Sequence, residues 1–201
     1  LATAPGGGND PPAEEPMPNP SSVAEAVRAR RTIHEFRPVA PPREILLEAL
    51  EAACWAPNHH RTEPWRFSLL GPATARAIAE LNAGLVRAKS GEAAAATKLR
   101  RWLDMPGWLA VTCLKSDDPA REREDYAACC CALQNLALLL WEAGIGTKWS
   151  TGKVTRDPSY LELIGADPLA EASVGLVWYG YPAEVPRQER RALADVLRER
   201  P

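Results

Sequence analysis

The sequence lacks any excess of positive charge. Its 201 residues carry 24 lysines and arginines against 26 aspartates and glutamates, a formal net charge of -2. A chain with this balance has no overall basic field that would attract nucleic acid or an anionic membrane surface. Any phosphate group on a ligand must therefore be bound by a local cluster of cationic side chains.

Long uncharged apolar segments are also absent. The longest apolar run, Ala127 to Trp141, is interrupted by Gln134 and Asn135. It is shorter than the roughly 20 residues that a bilayer-spanning helix needs. The first residues contain neither the basic segment nor the apolar stretch of a secretory signal. The sequence therefore predicts no membrane span and no signal peptide.

Paired cysteine motifs are missing as well. The chain has five cysteines, three of them consecutive, and no C-x-x-C occurs. Adjacent residues on a helix point in different directions, which disfavours both a regular disulfide set and a zinc site. We expect free thiols, with Cys129, Cys130 and Cys131 as packing residues rather than a redox relay, and a reducing, cytoplasmic location.

The rest of the composition, 46% hydrophobic and 25% charged, is typical of one globular domain. Residues 1–20 are rich in proline, glycine and alanine and predict a flexible N-terminal arm before a single domain at residues 21–201. Hydrophobic periodicity, helix caps and turn residues predict the elements of that domain. The predicted helices cover residues 22–30, 43–55, 73–88, 90–105, 119–143, 156–164 and 188–199, and the predicted strands cover 66–70, 108–115, 147–151 (strand or turn) and 173–181. This mixture indicates an α+β fold with a central sheet.

Two guanidinium groups and a hydroxyl, those of Arg30, Arg31 and Thr32, follow the first predicted helix. Arginine offers several N–H donors to an oxyanion, so the tripeptide is a candidate phosphate cradle. A basic helix end is also favoured by the helix dipole. On these three residues alone, a solvated helix end is the favoured interpretation.

Histidine is scarce, and His59 and His60 are two of the chain's three. No further histidine or cysteine stands at metal-ligand spacing from them, so a metal site is disfavoured. A catalytic dyad with Glu63 lacks a serine or cysteine nucleophile marked by the local sequence. By itself, the pair is best interpreted as loop histidines bonded to the backbone.

The glycine-rich segment from Gly144 to Gly152 matches neither the Walker pattern nor G-x-G-x-x-G. Its glycines allow a backbone to approach a ligand, and its hydroxyls can donate hydrogen bonds. Taken alone, it predicts a turn.

The order of these segments along the chain resembles the FMN-dependent nitroreductase family. The matching stretches are RRTIHEFRP, WAPNHHRTEPWRF, DYAACCCALQNLALLLWEAGIGTKWSTG and GLVWYGYPAEVPR. They cover about residues 22–191 and are most similar to the short branch with a histidine in an A-P-x-H segment. The resemblance implies a nitroreductase-like α+β fold, with a mostly antiparallel sheet flanked by helices, in an intertwined homodimer.

At the phosphate end of the cofactor, the resemblance implies that Arg30, Arg31 and Thr32 hold the FMN phosphate and ribityl chain. Arg187 would be a further phosphate ligand, with Arg190 as its rival. The family's flavin carries the chemistry, so no catalytic protein residue and no metal are implied.

At the flavin ring, the resemblance places His34 near N1 and O2. It places Pro57, Asn58 and His59 along one side of the ring, some of them from the partner subunit, and Glu63 where glutamine is usual. Ring or ribityl contacts would also come from Trp149, Ser150, Thr151 and Gly152. Histidine instead of a permanent cation weakens the positive charge near N1, and Glu63 replaces an amide by an anion.

The resemblance implies a flavoprotein oxidoreductase in which NADH or NADPH delivers hydride to flavin N5 and a small acceptor, such as a nitroaromatic or a quinone, follows in a ping-pong scheme. One alternative is a flavin-binding relative that remodels flavin, dehalogenates substrates or turns over little. Another is a helical interaction module with an empty pocket and solvated arginines.

Overall fold

The computed structural model describes residues 22–200, so the predicted arm at residues 1–20 lies outside the described residues. The described chain forms helices and strands that follow the predicted pattern closely. The helices are α1 Val23–Ala29, α2 Arg43–Ala53, α3 Pro72–Ser90, α4 Glu92–Leu103, α5 Pro119–Glu142 and α6 Pro158–Leu163. The strands are β1 Trp65–Leu69, β2 Gly107–Leu114, β3 Gly146–Ser150 and β4 Glu171–Gly180.

The four strands make one sheet in the order β1-β2-β4-β3. All three pairings are antiparallel, with Trp65 opposite Cys113, Gly107 opposite Tyr179 and Gly146 opposite Gly180. The predicted α+β fold with an antiparallel sheet flanked by helices is therefore confirmed. At the outer edge of β3, Thr147 forms an isolated parallel bridge with Thr32.

Both faces of the sheet are covered, which explains why β2 is apolar along most of its length. Leu109 and Val111 pack against α2 and α5, whereas Trp108 and Ala110 face the α3 side. Side chains alternate across a strand, so a strand buried on both faces needs apolar residues at successive positions.

Helix α5 lies at the centre of the hydrophobic core that contains Leu109 and Val111. Ala128, Cys129, Ala132, Leu133, Leu136 and Leu140 are all buried along it. This confirms that the apolar second half of the predicted long helix enters the core. Within residues 22–200, no helix combines the length and apolar character that crossing a membrane requires.

The predicted terminal helix at residues 188–199 is wrong. That segment is irregular apart from a short 3-10 turn, Leu193–Asp195. Leu193 and Val196 remain 69% and 65% exposed, because the segment packs no apolar face against the domain. Short helices depend on such packing for most of their stability, so a helix-compatible composition was not sufficient.

Candidate functional site

The end of α1 carries the first group of candidate side chains. Arg30 is the C-cap residue, and its backbone N–H donates to the Ala26 carbonyl. Burial lowers the pKa of the Arg30 guanidinium, and the positive charges of Arg31 and Arg190 lower it further. Three cationic groups thus stand near one another, which is an arrangement that a bound anion would stabilise.

The two arginines at this position do not point the same way. Arg31 Nη1 donates to the carbonyl oxygens of Arg28 and Arg30, at 2.5 and 3.0 Å. Its guanidinium therefore caps the last carbonyls of α1, a role that a cation commonly fills at a helix C-terminus. Arg30 is the side chain of the pair that lines a cavity.

That cavity lies between the β3 edge of the sheet and α5. Arg30, Thr32, Thr147 and Trp149 line it together with apolar residues of α5, and its volume is about 170 Å³. Ligand pockets for drug-sized molecules have volumes of roughly 300–1,000 Å³. One chain therefore supplies a phosphate-sized cavity with a polar wall, but not a complete pocket for a large aromatic cofactor.

Trp149 is held in place by β4 although its side chain is 41% exposed. Its indole Nε1 donates to the Val174 carbonyl at 3.0 Å. The ring lies against Gly175, where a Cβ would collide with the indole nitrogen and where φ is +152°. The sheet thus fixes this indole at the rim of the cavity, and Ser150, Thr151 and Gly152 follow directly in the chain.

The loop at residues 57–63 before β1, here called the histidine loop, has a strained backbone. His60, Arg61 and Glu63 have φ values of +60°, +53° and +45°. Left-handed backbone costs a residue with a Cβ about 1–2 kcal/mol each. Such a conformation persists only where surrounding contacts hold it.

Asn58 and Thr62 provide those contacts. Asn58 Oδ1 accepts the backbone N–H of Glu63 at 2.7 Å, and Asn58 Nδ2 donates to Thr62 Oγ1 at 3.0 Å. The Thr62 hydroxyl in turn donates to Asp125, a carboxylate on α5 that is only 4% exposed. The Asn58 side chain is therefore occupied in shaping the loop, while His59 and Glu63 remain exposed.

Within one chain the two groups of candidate residues lie far apart. The loop at residues 57–63 leads into β1, whereas Thr32 and Trp149 lie at β3, and these are the two outer strands of the sheet. Three strand spacings separate them, about 14 Å. Along α5, the loop contacts Asp125 and the cavity reaches Leu133, about 12 Å further along the helix axis.

His34 lies beside cations that the sequence did not reveal. Burial lowers the pKa of its imidazole, as do the charges of Lys148 and Arg101, while Glu35 opposes the shift. Arg101 Nη2 also donates to the His34 carbonyl at 3.3 Å. Fixed positive charge is thus present next to His34, although the side chain at that position is not itself a permanent cation.

Arg187 and Arg190 were the two candidates at the C-terminus for a phosphate contact. The positive charge of Arg190 lowers the pKa of Arg30. Arg187, Arg190 and their neighbours are exposed in an irregular segment. Local sequence patterns carry no signal to choose between them, because the segment has no regular structure.

Sequence reasoning also missed Thr62, Asp125, Lys148 and Arg101. Asp125 had a detectable signal, since Asp125, Ala128, Cys129 and Ala132 follow helical spacing and share the buried face of α5. Lys148 and Arg101 had no such signal in the sequence, because they come from elements that are distant from each other and from His34 in the chain.

Comparisons with known proteins identify the family. The family model described as "Nitroreductase family" matches residues 27–181. The chain is 32% identical over 184 residues to YfhC of Bacillus subtilis (strain 168), provisionally named an NAD(P)H nitroreductase, with 90% of this chain and 94% of the relative covered.

Comparison with solved structures also identifies nitroreductase-like proteins. A nitroreductase-like family protein from Bacillus cereus superposes with a TM-score of 0.79 at 31% identity, covering 91% of this chain and 98% of the other. A provisionally named nitroreductase from Desulfovibrio desulfuricans, solved in complex with FMN, has the same fold with a TM-score of 0.71 at 23% identity, covering 94% and 99%. With a family match over most of the domain and relatives above 30% identity along nearly the full chain, this protein belongs to the nitroreductase family.

Proposed function

We propose that this protein is an FMN-dependent oxidoreductase that takes electrons from NADH or NADPH and passes them to a small-molecule acceptor. The name of the Bacillus subtilis relative supports the nicotinamide donor. The FMN in the Desulfovibrio desulfuricans protein supports the flavin. The observation in this chain that carries the proposal is the cluster of the Arg30, Arg31 and Arg190 guanidinium groups, beside a cavity that Thr32 and Trp149 line.

The residues present fit the phosphate end of FMN. Arg30 is partly withdrawn from water and has the like charges of Arg31 and Arg190 near it. A phosphate dianion there would relieve that repulsion and accept charge-assisted hydrogen bonds. Thr32 adds a hydroxyl, and Trp149 adds an aromatic face held by the sheet. Arg190 is the better candidate than Arg187 for the second phosphate contact.

The chain's own residues would bind and orient rather than react. FMN would supply the hydride chemistry when bound, and the nicotinamide donor and the acceptor would react in turn, in a ping-pong scheme. Arg30 and Thr32 anchor the phosphate end. The Trp149–Gly152 turn and the loop with Pro57, Asn58 and His59 limit the space around the ring.

The separation of these two groups supports a homodimer with shared sites. The loop and the cavity lie three strand spacings apart in one chain, about 14 Å, so a ring bound at the cavity would be distant from the loop of its own chain. Trp55 and Val23 are 86% and 77% exposed, and an apolar groove of about 470 Å³ lies between α1, α2 and α5. We infer that a second copy covers this surface and brings its loop to the cavity.

Absorption spectroscopy tests the function directly. The purified protein is expected to be yellow, or to take up added FMN, and to be bleached anaerobically by NADH or NADPH. A colourless protein that binds no FMN would contradict the proposal. A yellow protein that neither donor reduces would favour flavin-dependent chemistry of another kind. All five cysteines are free, which supports a reducing, cytoplasmic location.

A further inference from the structure

A second group of cations lies on the opposite side of β3 from the cavity. Thr147 and Trp149 line the cavity, so the intervening Lys148 projects from the other face of the strand. Lys148 Nζ lies 5.2 Å from the centre of the Trp178 ring, and Trp178 belongs to the core on the α3 side. An anion bound at Lys148 would therefore not be the one bound at Arg30.

Helix α4 brings two more cations to the same place. Lys98 and Arg101 are three residues apart and share one face of the helix. Lys98 Nζ lies 5.8 Å from the Trp102 ring, and Trp102 packs edge-on against Trp178 with ring centres 4.8 Å apart. The contact of Arg101 with the His34 carbonyl ties this face of α4 to the segment beside β3.

These charges are not neutralised within residues 22–200. The side-chain ion pairs found there join Arg76 to Glu80 and Arg87 to Glu92, and none involves Lys98, Arg101 or Lys148. Burial lowers the pKa of Lys148, and Arg101 and Lys98 lower it further. The indole Nε1 of Trp178 below them is buried and lacks a hydrogen-bond partner among the described residues.

We propose that Lys98, Arg101 and Lys148 form a second anion site, which binds the phosphate monoester of a ligand outside the Arg30 cavity. Three cations around a tryptophan floor suit a dianion better than a single carboxylate. The proposed reaction supplies one such group, the 2′-phosphate that distinguishes NADPH from NADH. This assignment of the donor rests on the proposed function, and it predicts a preference for NADPH.

Isothermal titration of the flavin-loaded protein with NADP+, NAD+ and inorganic phosphate tests the site. NADP+ is expected to bind at least about tenfold more tightly than NAD+, because its 2′-phosphate would accept charge-assisted hydrogen bonds that NAD+ cannot make. The variants Lys98→Gln, Arg101→Gln and Lys148→Gln should each reduce that ratio while leaving NAD+ binding unchanged. Arg100→Gln, on the neighbouring face of α4, and Lys153→Gln are matched controls that should retain it.

The other outcomes separate the sources of the phosphate. If NADP+ and NAD+ bind equally but inorganic phosphate binds the native protein and not the three variants, the site stands and another phosphomonoester occupies it. If none of the three ligands distinguishes native protein from variants, the site is refuted. Loss of FMN from the variants would refute it too, because the cations would then serve the flavin. Failure of the native protein to bind FMN contradicts the proposed function, and phosphate titration of the flavin-free chain still decides the site.

Discussion

His34 shows how neighbouring charges can replace the charge of a residue. Burial, Lys148 and Arg101 lower the pKa of its imidazole from the ordinary value of 6.5, with Glu35 opposing the shift. The same two cations supply permanent positive charge beside it. Both cations come from elements, α4 and β3, that are distant from His34 in the chain.

Removing either cation should raise the pKa of His34. We expect Arg101→Gln and Lys148→Gln to shift the imidazole titration towards higher pH, as followed by NMR of the ring Cε1 proton, while Arg100→Gln leaves it in place. An unchanged titration in both variants would show that burial alone sets the pKa.

The same shift has a consequence for stability. Because the folded-state pKa is lowered, the unfolded chain binds the proton more readily. The contribution of His34 to the free energy of unfolding is therefore fully present above 6.5, the pKa in the unfolded chain. It is lost as the pH falls through the pKa in the folded protein. Replacing His34 by asparagine should flatten that part of the stability curve, measured by urea unfolding between neutral and mildly acidic pH.

Arg30 is the side chain on which cofactor affinity should depend most. Arg30→Ala removes a charge-assisted contact to phosphate and should weaken FMN binding by about 1.5–3 kcal/mol, measured by fluorescence titration of the flavin-free protein. Arg28→Ala is the control, because Arg28 is exposed on α1 and its carbonyl, which Arg31 contacts, is retained. Equal FMN affinity of native and Arg30→Ala proteins would remove Arg30 from the phosphate site.

At the scale of elements, the histidine loop depends on α5. Three left-handed residues make the loop costly, and the Asn58–Thr62–Asp125 hydrogen bonds hold it. The loop is therefore a shaped wall whose conformation is set by a buried carboxylate on a neighbouring helix. The position of His59 follows from that anchor rather than from its own contacts.

Breaking the anchor should destabilise the protein and release the loop. Thr62→Val keeps the side-chain shape but leaves the buried Asp125 carboxylate without its donor, at a cost of about 1–3 kcal/mol in the free energy of unfolding. Urea unfolding measures the cost, and faster hydrogen exchange at residues 58–64 reports the released loop. Thr97→Val, which removes an exposed hydroxyl bond within α4, should change stability by less than about 0.5 kcal/mol.

At the scale of the whole molecule, the central question is whether one site is built from two chains. The Arg30 cavity and the histidine loop lie at opposite edges of one sheet. In the proposed homodimer, Arg30 of one subunit and His59 of the other line the same flavin.

Mixed dimers can test this sharing. Arg30→Ala and His59→Ala chains carrying different affinity tags are co-expressed, and the mixed dimer is isolated. With shared sites, one site carries both substitutions and the other carries none, so one FMN should bind with native affinity. With sites confined to single chains, every site would carry one substitution and no native affinity would return. The two homodimers are the controls, and a monomer in sedimentation experiments would contradict the proposal at once.

Local sequence patterns were sufficient for the elements and for the family. The buried stripe of α2, the apolar run of β2 and the cap of α1 each depend on residues near one another in the chain, so period and capping rules predicted them. Ordered motifs identified the family for the same reason. The prediction of a terminal helix failed because the stability of such a helix depends on a packing surface that the fold does not provide.

Local patterns in the sequence therefore predicted most of the elements, the sheet class and the candidate residues on each segment. Which side chains lie together was visible only in the folded chain: Asp125 beneath the histidine loop, and Lys148 with Arg101 around His34. The physical reason is that electrostatic and hydrogen-bond partners act over a few ångströms in space, whatever their separation in the chain. The separation of about 14 Å between the Arg30 cavity and the histidine loop also follows from the strand order, which no local pattern encodes.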